Sequence, residues 1–139
     1  MGNYFSNYFN LIFLIDLLFL SFKKLKLFSY SSCSTCRRAI KWLKSNDIDF
    51  ELVDILNTPP SKEMLISASA QYGDRKYLLN TSGVIYRSIG SEVIKKMSDN
   101  DLFEKLFIEP RLIKRPFLFM SNKCFLVGFK EDKWAEKLL

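Results

Sequence analysis

The chain reads as one α/β domain on a small mixed sheet, and three observations predict it. A strand-like run over 25–30 meets a turn and a helix-like run over 37–44, and an alternating run over 48–55 then completes a parallel βαβ unit. Near the end, Phe117-Leu118-Phe119-Met120 and Cys124-Phe125-Leu126-Val127 flank a tight Ser121-Asn122-Lys123 turn, the pattern of an antiparallel hairpin. Between the two lies a stretch of short helical runs broken by Pro and Gly. Four strands, two parallel and two antiparallel, make the sheet mixed.

The elements follow in order. The first helix ends near Ser45-Asn46-Asp47, and Asn57-Thr58-Pro59-Pro60-Ser61 breaks the chain after the second strand. Ser61 is placed to cap a helix running to about Tyr72, with Gly73-Asp74 ending it. Residues 76–90 carry the loop signature Asn80-Thr81-Ser82-Gly83, which makes Tyr86 and Arg87 loop residues. Two short helices follow over 91–96 and 99–107, the second capped by Ser98 and stopped before Pro110. After the hairpin, Gly128 closes the strand, and 131–139 form a last helix with Trp134 and Leu138 on one face.

Composition sets the bounds. At 139 residues the chain has room for one buried core. Its net charge of +6 suits an acidic partner surface or an anionic small substrate. The basic residues are scattered along the sequence, with no stripe interleaved with aromatics, so direct nucleic-acid binding is not expected. Three cysteines and no histidine exclude a secreted disulfide framework and a four-ligand zinc site, so no metal is expected and a reducing cytoplasm is the natural compartment.

Residues 1–24 stand apart as a hydrophobic extension, and the domain is expected over 25–139. Three readings stay open for the extension. As a membrane anchor, the lysines after it would leave the domain in the cytoplasm, but Asp16 would cost ~2.5–3.5 kcal/mol near the bilayer centre. As a mis-assigned start, translation would begin near Leu25. As an extra helix, it would pack on the domain. A secretory signal lacks its basic n-region and its small-residue cleavage site.

The chemistry concentrates at Cys33-Ser34-Thr35-Cys36, between the first strand and the first helix. A C-x-x-C in that setting reads as a thioredoxin-type redox motif. Cys33 falls in the turn, where free backbone N–H groups and the helix dipole favour a thiolate. Arg37 and Arg38 add positive charge. Cys36 shares a face with Ile40 and Leu43 and is expected to point inward, one turn away, where it resolves a mixed disulfide formed by Cys33. Thr35 either caps the helix or donates to the thiolate. Cys124, in an apolar alternating strand, is expected to be a buried inert thiol.

With C-x-x-C, Pro59-Pro60-Ser61, Asn80-Thr81-Ser82-Gly83, Leu112-Ile113-Lys114-Arg115-Pro116 and Val127-Gly128-Phe129 in this order, the chain resembles the arsenate-reductase-like family, ArsC and Spx included. The resemblance covers roughly 25–139. It implies a thioredoxin-like fold with a helical insertion at about 61–107, Cys33 as the reactive cysteine, Arg115 as an anion or thiolate partner, and a cis bond before Pro116. It also implies thiol-disulfide chemistry reset by glutathione, glutaredoxin or thioredoxin. The pattern departs in two places: Asn80 and Gly128-Phe129 stand where arsenate reductases of this type carry arginines, so efficient arsenate reduction is not expected. A second cysteine at Cys36 is typical of Spx-like members. The resemblance therefore leaves two functions open, a thiol-disulfide oxidoreductase and a redox-sensing regulator that binds RNA polymerase through its α subunit.

Overall fold

The computed structural model describes residues 24–139 together with Tyr8 and residues 10–15. Its elements are β1 (Leu25–Ser29), α1 (Ser34–Ser45), β2 (Phe50–Asp54), α2 (Lys62–Tyr72), a 3-10 turn (Arg75–Leu78), α3 (Val84–Ile89), α4 (Ser91–Lys96), α5 (Asp99–Ile108), a second 3-10 turn (Pro110–Leu112), β3 (Phe117–Met120), β4 (Cys124–Val127) and α6 (Glu131–Leu138). The strands form one sheet in the order β2-β1-β3-β4. β1 and β2 are parallel, while β3 runs antiparallel to both β1 and β4.

Alternation along the strands gives the sheet two apolar faces, because successive side chains point to opposite sides. Leu25, Leu27, Leu118, Met120 and Leu126 meet Ala39 and Leu43 of α1 and Trp134 of α6. Phe28, Phe117 and Phe125 meet Leu65 of α2 and Leu102, Phe103 and Leu106 of α5. The sheet is thus buried between α1 and α6 on one side and the inserted helices on the other. Ser61 and Ser98 cap their helices through side-chain oxygens that accept from Met64 and Asp101 N–H, as the sequence predicts.

Two expectations need correction. The 76–90 stretch is not all loop, since Tyr86 and Arg87 lie on α3. The Asn80-to-Gly83 turn only opens that helix, with the Gly83 N–H donating to Asn80 O at 3.1 Å. The Asn80-Thr81-Ser82-Gly83 loop signature runs directly into this helix, which has no side-chain cap, and packing of Ile85, Tyr86 and Ile89 on the core stabilises it. The second strand is also shorter than 48–55: Ile48 is drawn back to α1, its N–H donating to Leu43 O at 3.0 Å.

Most of the 1–24 extension, with its anchor, start-site and extra-helix readings, lies outside the described residues. Tyr8 and residues 10–15 are helical and exposed. No helix among the described residues is long and apolar enough to cross a membrane.

Candidate functional site

The C-x-x-C motif begins where β1 ends. Cys33 takes an extended conformation and is itself the N-cap of α1, its Sγ accepting the Cys36 N–H at 3.4 Å. Thr35 therefore does not cap; it lines the groove beside Cys33. Cys36 is fully buried and points inward with Leu43, as expected, one turn into the helix; Ala39 completes that buried face, and Ile40, expected on it, is only partly buried.

The two thiols are pushed apart in acidity. Burial alone would raise Cys33, but hydrogen bonds from the Cys36 side chain and N–H, and then from Arg115, outweigh it and hold Cys33 below the ordinary thiol range. Burial pushes Cys36 the other way, up to about 11. The motif thus presents one half-buried thiol that ionises more readily than an ordinary cysteine and one buried thiol kept protonated at neutral pH. Such a pair can attack a disulfide or oxidised sulfur at Cys33 and then close on itself.

The cation beside Cys33 comes from the opposite end of the chain. The Arg115–Pro116 bond is cis, as expected, at the entry to β3. Arg115 packs under Tyr30, and its Nε is buried without a hydrogen-bond partner. The positive charge assigned to Arg37 is engaged elsewhere, since its Nη1 donates to Ser31 O at 2.9 Å. Arg38 lines the groove.

Cys33, Thr35, Arg38 and Arg115 open onto a cavity of about 770 Å³. Its far walls are residues that the sequence did not single out: Gln71, Tyr72, Tyr77, Lys114, and Lys130, Lys133 and Lys137 around α6. The end of α2 is fastened to the outer edge of β4. Gln71 Nε2 donates to Phe125 O at 2.8 Å, the Phe125 N–H returns to Gln71 Oε1 at 2.8 Å, and the Val127 N–H donates to Tyr72 Oη at 2.9 Å. Burial raises the Tyr72 phenol, so it stays neutral beside the groove. Trp134 Nε1 donates to Gly128 O at 3.0 Å and ties α6 to the loop below. Spacing gave one usable signal: lysines at 130, 133 and 137 repeat at helical intervals. The meeting of α2 with β4 is tertiary and left no local trace.

Two further sequence readings resolve. Asn80 lines the groove, but its Nδ2 donates to Arg111 O and its Oδ1 accepts from Ser82 Oγ. Cys124 is half-buried on β4, less enclosed than expected, and its N–H donates to Asn122 Oδ1. Among the described residues no cluster of His, Cys, Asp or Glu could hold a metal.

A four-stranded mixed sheet, a C-x-x-C at the first helix and a cis-proline opposite define a thioredoxin-like protein with a helical insertion. Within that class, a profile of the ArsC family matches residues 28–137, and the chain belongs to the ArsC family. It is 39 % identical over 109 residues to the uncharacterised protein YusI of Bacillus subtilis, covering 77 % of this chain and 92 % of YusI. It is 30 % identical over 108 residues to the global transcriptional regulator Spx of Streptococcus pyogenes, covering 77 % of this chain and 79 % of Spx. Among solved structures, an ArsC-family-related protein from Bacteroides fragilis superposes with a TM-score of 0.74 at 31 % identity, over 83 % of this chain and 98 % of that one.

Proposed function

We propose that the protein is a thiol-disulfide oxidoreductase in which Cys33 is the nucleophile, Cys36 the resolving thiol, and Arg115, Pro116 and Thr35 form the wall against which the substrate sulfur sits. One observation carries this reading: Cys33 Sγ is the helix cap and accepts the Cys36 N–H, next to Arg115, while Cys36 is sealed behind it. The Cys33 thiolate attacks a substrate disulfide, releasing one substrate thiolate and forming a mixed disulfide. Cys36 then attacks the Cys33 sulfur, its proton passing to the second leaving sulfur. The substrate gains two electrons and the protein closes a Cys33–Cys36 bond, which a thiol reductant such as glutathione, glutaredoxin or thioredoxin reopens.

Arsenate is a poor substrate on this reading. Asn80 is neutral and its amide is already engaged, and Gly128-Phe129 offers no side-chain cation.

Kinship to Spx favours a second reading, in which the same disulfide alters a surface presented to RNA polymerase, its α subunit included. The name of MgsR, a regulatory protein of Bacillus subtilis at 29 % identity, points the same way. A Cys36→Ser trap separates the two. Mixed disulfides with several cellular thiol proteins, all lost in Cys33→Ser, are expected of the oxidoreductase. Retention of RNA polymerase alone, independent of Cys33, would favour the regulator.

A further inference from the structure

The groove beside Cys33 is much more basic than a single reacting sulfur requires. Lys114, Lys130, Lys133 and Lys137 join Arg38 and Arg115 around it, and Glu136 is the one carboxylate among the lining residues. Lys133 is partly neutralised, with its Nζ 3.5 Å from Glu136 Oε2. Lys114, Lys130 and Lys137 have no ion-pair partner among the described residues and are exposed.

These cations are placed by the fold. Lys114 lies over Gly128, close enough that a Cβ added there would meet Lys114 Cε at 2.9 Å. Lys137 on α6 and Lys130, the residue that opens that helix, both line the groove, and Trp134 anchors the helix to Gly128 O. Nearly two turns of helix separate them, about 10 Å at the helical rise from Glu131 to Lys137. A single oxyanion at Cys33 reaches one or two such charges, and an extended peptide passes them all. Tyr72 and Tyr77 supply an apolar wall opposite.

We propose that the lysine-lined half of this groove binds an acidic polypeptide segment that carries the reducible disulfide to Cys33. The inference rests on the thiol-disulfide exchange reading and adds the class of substrate. Carboxylates flanking the substrate cysteine meet Lys114, Lys130 and Lys137, and the field of the groove speeds their encounter. The exchange itself is the balanced step given above, with the peptide disulfide reduced to two thiols and Cys33–Cys36 oxidised.

The test uses the reduced full chain and symmetric disulfides of short peptides whose single cysteine is flanked by Glu, Gln or Lys. Thiol release is followed by acid quench at low and high salt. The Glu peptide should react about tenfold faster than the Gln peptide at low salt, and the Lys peptide slowest, with the spread closing as salt rises. In K130Q/K137Q the Glu-to-Gln ratio should fall towards one. In K41Q/K44Q, which loses the same charge from the outer face of α1, the ratio should persist. Equal, measurable rates for all three peptides would overturn the proposal and leave the exchange reading intact. So would a small dicarboxylate disulfide, dithiodipropionate, reacting as fast as the Glu peptide, or an equal collapse of the ratio in K41Q/K44Q. Absence of exchange with every peptide would remove the exchange reading, and the proposal with it.

Discussion

The Arg115 guanidinium carbon lies 5.3 Å from the centre of the Tyr30 ring, so the residue that follows β1 supports the cation beside Cys33. A cation over an aromatic face is held by the ring quadrupole, and burial of Nε strengthens the constraint. Arg115→Ala should raise the Cys33 pKa and slow its alkylation at pH 7, by about tenfold for every unit that the pKa rises. Tyr30→Leu should act in the same direction and less strongly, and Arg37→Ala, whose guanidinium is bound to Ser31 O, should change nothing. Iodoacetamide kinetics on the three variants check the order.

Stability should depend on pH through Cys36. Its folded pKa of about 11 lies above the ~8.5 of an unfolded thiol, so the unfolded chain releases this proton first as pH rises. The contribution is fully present below about 8.5 and is lost as pH climbs towards about 11. Cys33 works oppositely: its depressed pKa favours the fold above about 8.5 and adds no slope beyond it. Urea unfolding of the reduced protein between these limits should show a falling midpoint, and Cys36→Ser should flatten that fall.

Gln71 closes the outer edge of β4 with two hydrogen bonds to Phe125, a fully buried residue. Gln71→Ala leaves an N–H and a C=O without these partners and should cost about 1–3 kcal/mol. Chemical denaturation measures it directly.

Gly128 sits at φ +73, where an L residue is strained, and Gly128→Ala should cost about 1–2 kcal/mol. The clash with Lys114 Cε adds little to that, because a flexible side chain can withdraw. A lowered thermal midpoint is expected.

Much of this architecture was legible in the sequence, for identifiable reasons. β3 and β4 read as unbroken apolar runs, and β1 nearly so, because both sheet faces are covered, and the Ser61 and Ser98 caps are local chemistry written beside the helices that they open. The placement of the C-x-x-C pair was legible because the turn puts Cys33 at the start of α1 and the helix period puts Cys36 on its buried face. The source of the charge on Cys33 was not. Arg37 is near in sequence but folds onto Ser31 O and does not line the groove, while Arg115 is remote and is brought in at the start of β3. α3 was hidden by the loop signature that runs directly into it, and the basic groove by its assembly from α1, the approach to β3 and α6.

Arsenate turnover should be weak. With glutaredoxin and glutathione supplied, arsenate-dependent thiol oxidation should stay well under the order of 1 per second usual for an enzyme on its own substrate. Asn80→Arg, which restores a cation in the groove, should raise it. Robust turnover in the unaltered chain would mean that Lys114 and Lys130 replace the absent arginines.

The division of labour between the two thiols is tested most directly by site-resolved alkylation of the intact reduced chain as a function of pH, read by mass spectrometry of the peptide holding both cysteines. Cys33 should be labelled at lower pH than an ordinary thiol, with Cys36 protected until the pH approaches about 11. Simultaneous labelling of both thiols around pH 8.5 would contradict the account, because neither cysteine would then be set apart as nucleophile.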